Sequence, residues 1–282
     1  MTDVEIRDTG NHGLHVSDCS LGDDCGGGQG GGGEGSNASI FVDLNRVTID
    51  GAGFGKQDAD GVRVDDRGDG DIIFNATDSV FLGVGADGVE LDEGNNGSVI
   101  INVRNSTFEN NGAYCKIDGD VEELAGLDPN CVDGGEADLD DAFDIDEAGP
   151  GGITGVVSDV LINGNLDEGL DFDVEDDGVV DLDFIAISNS VANGDEDIKV
   201  SEAGAASVIV KLAGIDVVGD IEFEEEGVGD LEVTLYSANV GDDLKLLETG
   251  EGKGTLTLIN STVVDDIDID GDSDPITQVV LP

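Results

Sequence analysis

From Asn193 to Gly271 apolar and polar residues alternate in short runs that return at a fixed step. Asp197-Ile198-Lys199-Val200, Asp220-Ile221-Glu222-Phe223, Asp243-Leu244-Lys245-Leu246 and Asp266-Ile267-Asp268-Ile269 begin 23 residues apart. Between them lie a second alternating run (Val208 to Leu212, Leu231 to Leu235, Leu256 to Leu258) and a shorter third (Ile215 to Val217, Asn239-Val240, Thr262-Val263). Successive side chains of a strand point to opposite faces, so period-2 alternation predicts strands. Recurrence at roughly 20–50 residues predicts a solenoid. Three short strands and three turns per repeat predict one coil of a parallel β-helix.

The first strand of each coil can be followed back towards the N-terminus. It reads Gly13-Leu14-His15-Val16, Gly61-Val62-Arg63-Val64, Gly88-Val89-Glu90-Leu91, Ala142-Phe143-Asp144-Ile145 and Gly169-Leu170-Asp171-Phe172. The steps between Leu14, Val62, Val89, Phe143, Leu170 and Ile198 are 48, 27, 54, 27 and 28 residues. Each of the two long steps holds a pair of cysteines. Insertions are therefore expected at about 18–38 and 112–140, tethered by Cys19–Cys25 and Cys115–Cys131 disulfides. Neither spacing matches the usual zinc patterns. The tail, 272–282, is expected to fold across the last coil as a cap, since an open end exposes unpaired strand edges. The expected fold is a single all-β domain over 1–282. It is a right-handed, single-stranded, three-sheet β-helix of about nine to ten coils of 23–27 residues.

Composition adds a charge argument. There are 66 Asp and Glu against 11 Lys and Arg, for a net charge of −55. Such a chain repels nucleic acid and anionic membrane and attracts cations. Acidic chains poor in aromatics are often disordered, but here the acids interleave with β-branched residues at strict period 2. No stretch reaches the roughly 18 apolar residues of a membrane span. Asp3-Val4-Glu5-Ile6-Arg7 already reads as a strand, so an export signal is expected upstream, and the expected location is extracellular or on the cell surface. A salt-adapted surface, as in halophilic or marine proteins, and a monomeric state fit the same composition.

The stacked Gly-Val/Leu-x-Val/Phe rungs (Gly61 to Val64, Gly88 to Leu91, Gly169 to Phe172) and Asn-rich corners such as Asn110-Asn111-Gly112 resemble the right-handed parallel β-helix proteins of the pectate-lyase-like superfamily. That superfamily holds polysaccharide lyases, hydrolases and epimerases beside non-catalytic adhesins and passenger domains. Members that cleave polyuronates hold Ca²⁺ on carboxylates of one sheet's outer face, with Lys or Arg nearby as base. The resemblance implies a comparable arrangement in Asp144, Asp146, Asp171, Asp173 and Lys199.

Parity points the residues between the inward apolar positions outward. Arg63/Asp65, Glu90/Asp92, Asp144/Asp146, Asp171/Asp173, Lys199/Ser201, Glu222/Glu224, Lys245 and Asp268/Asp270 should then stack coil on coil. At about 4.8 Å, two like charges repel by about 3.5 kcal/mol at an effective dielectric near 20, so acidic rungs call for cations. Glu90, Asp92, Asp144, Asp146, Asp171 and Asp173 are the candidate Ca²⁺ ligands, in a groove floored also by Arg63 and Asp65 and walled by the two insertions. The leading expectation is a non-catalytic Ca²⁺-binding module that is structural or binds a glycan. The alternative is a Ca²⁺-dependent polyuronate lyase with Lys199 as general base. Asp266 to Gly271 resembles the front of an EF-hand loop but fits a strand better. Arg67-Gly68-Asp69 reads as a turn, and Asn37, Asn75, Asn96, Asn105 and Asn260 as Asn-x-Ser/Thr matches, several of which double as turn residues.

Overall fold

A computed structural model describes residues 1–18, 35–54, 59–114, 132–133, 136–137, 140–271 and 277–281. The chain winds into a parallel β-helix, and none of the described residues is helical. One nine-stranded sheet is built from the first strand of every coil: Leu14–Ser17, Val62–Asp66, Val89–Glu93, Phe143–Glu147, Leu170–Val174, Ile198–Glu202, Ile221–Glu225, Leu244–Glu248 and Ile267–Gly271. These are the rungs that the periodicity predicts, and each pairs in parallel with the next.

The second and third sheets run together into one 15-stranded sheet. In three coils the expected pair of strands is continuous, as Ile40–Asp50, Ile153–Asn163 and Val180–Ser188. The corner between them is a single residue at positive φ, Arg46 (53°), Asp159 (54°) or Ala186 (54°), which bends the strand without breaking its pairing. The same corner uses Asn105 (47°) and Asn260 (49°) in other coils, so these two asparagines serve as turn residues. Elsewhere the corners are glycines for a different reason. A Cβ on Gly149 would lie 1.4 Å from the Asn95 carbonyl oxygen of the coil below.

Inward positions form one continuous core of Val, Ile, Leu and Phe. Burial worth about 1.5–3 kcal/mol per large apolar side chain holds the coils together. Phenylalanines stack along the axis within it. Phe81 lies on Phe108 with centroids 4.7 Å apart, and Phe143 meets Phe108 at 5.8 Å and Phe172 at 5.2 Å. Where the chain leaves the third sheet, buried asparagines form a second column. Asn111 Nδ2 donates to Asn165 Oδ1 at 3.0 Å, and Asn165 Nδ2 donates to Asn193 Oδ1 at 2.8 Å.

Val89–Glu93 pairs directly with Phe143–Glu147, so no rung of the first sheet lies between them, although Val99–Arg104 and Thr107–Glu109 continue the other sheet there. The described residues between them also include a short antiparallel pair, Val132–Asp133 with Glu136–Ala137. Cys19, Cys25, Cys115 and Cys131 lie outside the described residues, as does most of both insertions. Thr277–Leu281 pairs in parallel with Gly254–Ile259, in register Thr255 to Thr277. It thus adds another rung to the second sheet, on the open edge of Gly254–Ile259.

Candidate metal centre

Register sets the site. On the outer face of the first sheet, His15, Arg63, Glu90, Asp144, Asp171, Lys199, Glu222, Lys245 and Asp268 form one column. Ser17, Asp65, Asp92, Asp146, Asp173 and Ser201 form the next. All six candidate ligands therefore lie on three consecutive rungs, as the parity argument expected. What parity did not convey is burial. The outward-facing Arg63 is only 4% exposed, and Asp92 is fully buried. The floor expected of an open groove is, at these rungs, a desolvated ion network.

That network is offset by its own cations towards the N-terminus. Arg63 bonds Glu90 through Nη1, Asp92 at 2.7 Å through Nη2, and Asp65 at 3.0 Å through Nε. Arg67 reaches Asp92 at 3.1 Å, and His15 Nε2 lies 2.6 Å from Asp65 Oδ2. Burial alone would raise the Asp65 pKa, but the bonds from His15 and Arg63 outweigh it and hold the group down at about 2. Arg67 is thus a buried structural cation, and the Arg67-Gly68-Asp69 tripeptide presents no exposed arginine.

At the other end Lys199 Nζ binds Asp171 at 2.8 Å and Glu168 at 3.2 Å. Burial disfavours its charge, yet Asp171, Asp173 and Glu168 more than offset this and push its pKa up. A general base near neutral pH needs the opposite shift. Lys245 does the same work further along, against Glu196 and Asp220.

The rung between Arg63 and Lys199 carries Asp144 and Asp146 and has acid on both sides. Burial raises Asp144 well above an ordinary carboxyl, with Asp146, Asp87, Asp171 and Asp92 adding to it. Asp141 is raised in the same way, by burial and then by Glu168, Asp171, Asp87 and Asp144. Two buried oxygens flanking this rung, Asp92 Oδ1 and Asp171 Oδ1, have no hydrogen-bond partner among the described residues. The centre of the site is thus a run of hard oxygen donors on adjacent rungs.

A third column, at the corner leading into the first strand, completes the cluster. The Asp141 amide bonds the Asp87 carboxylate, and Asp141 Oδ1 accepts the Glu168 amide at 2.7 Å. Carboxylate oxygens of Asp141, Asp167 and Glu168 lie within 4.8 Å of one another, as do those of Asp60, Asp87 and Glu90. These corner acids were not among the residues expected from sequence. Their signal was nonetheless present, because Asp60, Asp87, Asp141 and Glu168 each directly precede the first residue pair of a rung, in Asp60-Gly61, Asp87-Gly88, Asp141-Ala142 and Glu168-Gly169. No family model, curated protein or solved structure matches the chain.

Proposed function

We propose that this chain is a non-catalytic β-helix that holds Ca²⁺ on the outer face of its first sheet, in the acidic gap between Arg63 and Lys199. Asp144 and Asp141 would bind the ion, with Asp87, Asp92, Asp146 and Asp171 beside them and Glu90 and Asp173 at the edges. The observation that carries the reading is the pair of orphaned buried oxygens, Asp92 Oδ1 and Asp171 Oδ1, on either side of a rung whose neighbours are acids. Ca²⁺ takes six to eight oxygens at about 2.3–2.6 Å, and an all-carboxylate donor set suits it better than a thiophilic metal. The resemblance to pectate-lyase-like β-helices agrees with ion binding on this face. The upward shift of Lys199 speaks against the lyase alternative, and a glycan would be held, if at all, through the ion.

Calorimetric titration with CaCl₂ at constant ionic strength tests this. The expected result is saturable binding with Kd of about 10⁻⁴ M or tighter, lost in Asp144→Asn. Neutralising one acid of the cluster should also raise the melting temperature in Ca²⁺-free buffer, which separates loss of the site from loss of the fold. Heats no different from those of an equal ionic strength of NaCl would refute the proposal.

A further inference from the structure

The first strand of the coil also carries acids on its inner side. Its fifth residue is Glu202, Glu225 and Glu248 on three consecutive rungs, and all three are fully buried. Parity places them with Ile198 and Val200, Ile221 and Phe223, and Leu244 and Leu246, facing the core. Glu225 pairs with Glu248, and the register of Val200 with Phe223, continued by two residues, sets Glu202 beside Glu225.

One oxygen of the first two is taken up by the turn that follows. Glu202 Oε1 accepts the amides of Gly204 at 2.9 Å and Ala206 at 3.4 Å, and Glu225 Oε1 accepts those of Gly227 at 3.0 Å and Gly229 at 2.9 Å. Glu202 Oε2, Glu225 Oε2 and both oxygens of Glu248 have no partner among the described residues and are sealed from water. The other charges that face the ladder are also acidic, Asp177 towards Glu202 and Asp230 towards Glu225. Lys199 and Lys245 spend their charge on the outer face, on Asp171 and Glu168 and on Glu196 and Asp220.

Buried carboxylates on adjacent rungs cannot all stay ionised without a cation among them. A proton removes the charge and turns an orphaned oxygen into a donor for the next rung. A metal ion is the poorer occupant, because the column offers about one free oxygen per rung where Ca²⁺ takes six to eight. We propose that Glu202 and Glu225 are neutral carboxylic acids that donate O–H bonds along the ladder they form with Glu248, and that loss of these protons loosens the C-terminal coils. Burial, with Glu225 alongside, pushes Glu202 up to about 7, and burial, with Glu248 alongside, raises Glu225.

Infrared titration of the whole chain in chelator-treated buffer, with isotope-labelled glutamate, tests the proposal. The expected wild-type spectrum has a protonated glutamate C=O band near neutral pH. That band disappears on alkalinisation, together with a rise in amide exchange of Ile221–Glu225 and Leu244–Glu248 beyond the intrinsic pH dependence. The combined variant Glu202→Gln, Glu225→Gln, Glu248→Gln should lose the alkaline rise, because glutamine keeps the acceptor and adds a donor, and should lose its own share of the band in the difference from wild type, while Glu93 and Glu147, raised by burial to about 7 and about 9, keep theirs. A control with Glu222→Gln and Glu224→Gln, on the outer face, should keep both. Absence of the band in the wild type would overturn the proposal. So would a stoichiometric metal released by chelator with the glutamates already ionised. Should the combined variant not fold, the difference spectrum of Glu225→Gln alone against wild type decides.

Discussion

Replacing Arg63 by methionine keeps most of the apolar stem and deletes a charge that four carboxylates share. Nη2 lies 2.7 Å from Asp92, Nε 3.0 Å from Asp65 and Nη1 3.5 Å from Asp60, with Glu90 closest. With charge centres about 4 Å apart and an effective dielectric near 20, each attraction is about 4 kcal/mol, or about 16 in all. Desolvation of several kcal/mol per ion, and repulsion among the acids, consume most of that sum. Deleting one member of such a network leaves uncompensated buried charge, and the expected net loss is about 3–5 kcal/mol. Urea unfolding measures it, and the loss should persist at high salt because buried pairs are poorly screened. Adding Glu90→Gln and Asp92→Asn should recover about half of the loss, since less charge is then stranded. An exposed pair is worth only about 0–1 kcal/mol. A change below about 1 kcal/mol in Arg63→Met would therefore refute the claim that this face is desolvated.

Two further expectations concern pH and packing. Asp65 titrates at about 2 in the folded chain against 3.8 for the free group, so its contribution is full above pH 3.8 and is lost as pH falls towards 2. At about 1.36 kcal/mol per pKa unit this is roughly 2 kcal/mol, and acid unfolding of Asp65→Asn should lack that part of the pH dependence. Phe143→Ala removes a ring that contacts Phe74, Phe108 and Phe172. It should cost about 3–5 kcal/mol in the same urea assay, and a loss under about 1 would show that the aromatic column collapses to fill the space.

Much of this molecule is legible in its alternation. Ile198, Val200, Ile221, Phe223, Leu244 and Leu246 recur at parity 2 and period 23, and that alone places Lys199, Glu222 and Lys245 in one outward column. The same rule, carried two residues further along each strand, points Glu202, Glu225 and Glu248 inward. They escaped notice because an acid is ordinarily taken as a surface residue. The tail, Thr277–Leu281, finds backbone partners on the open edge of Gly254–Ile259.

Sequence by itself determined the strands, their rungs and the excess of acid over base, because side-chain parity and coil length are local properties of the backbone. It did not determine which acids are compensated. Arg63 meets Asp92 across 29 residues and Lys199 meets Asp171 across 28, and such contacts exist only once the coils are stacked in register. Nor did it determine that the outward face at Arg63 and Asp92 is dry, because parity sets the direction of a side chain, and what packs over it sets the dielectric around it. Only the tertiary structure separates rungs whose charges are offset by Arg63 and Lys199 from the Asp144 rung between them, where carboxylates crowd together and burial raises their proton affinity.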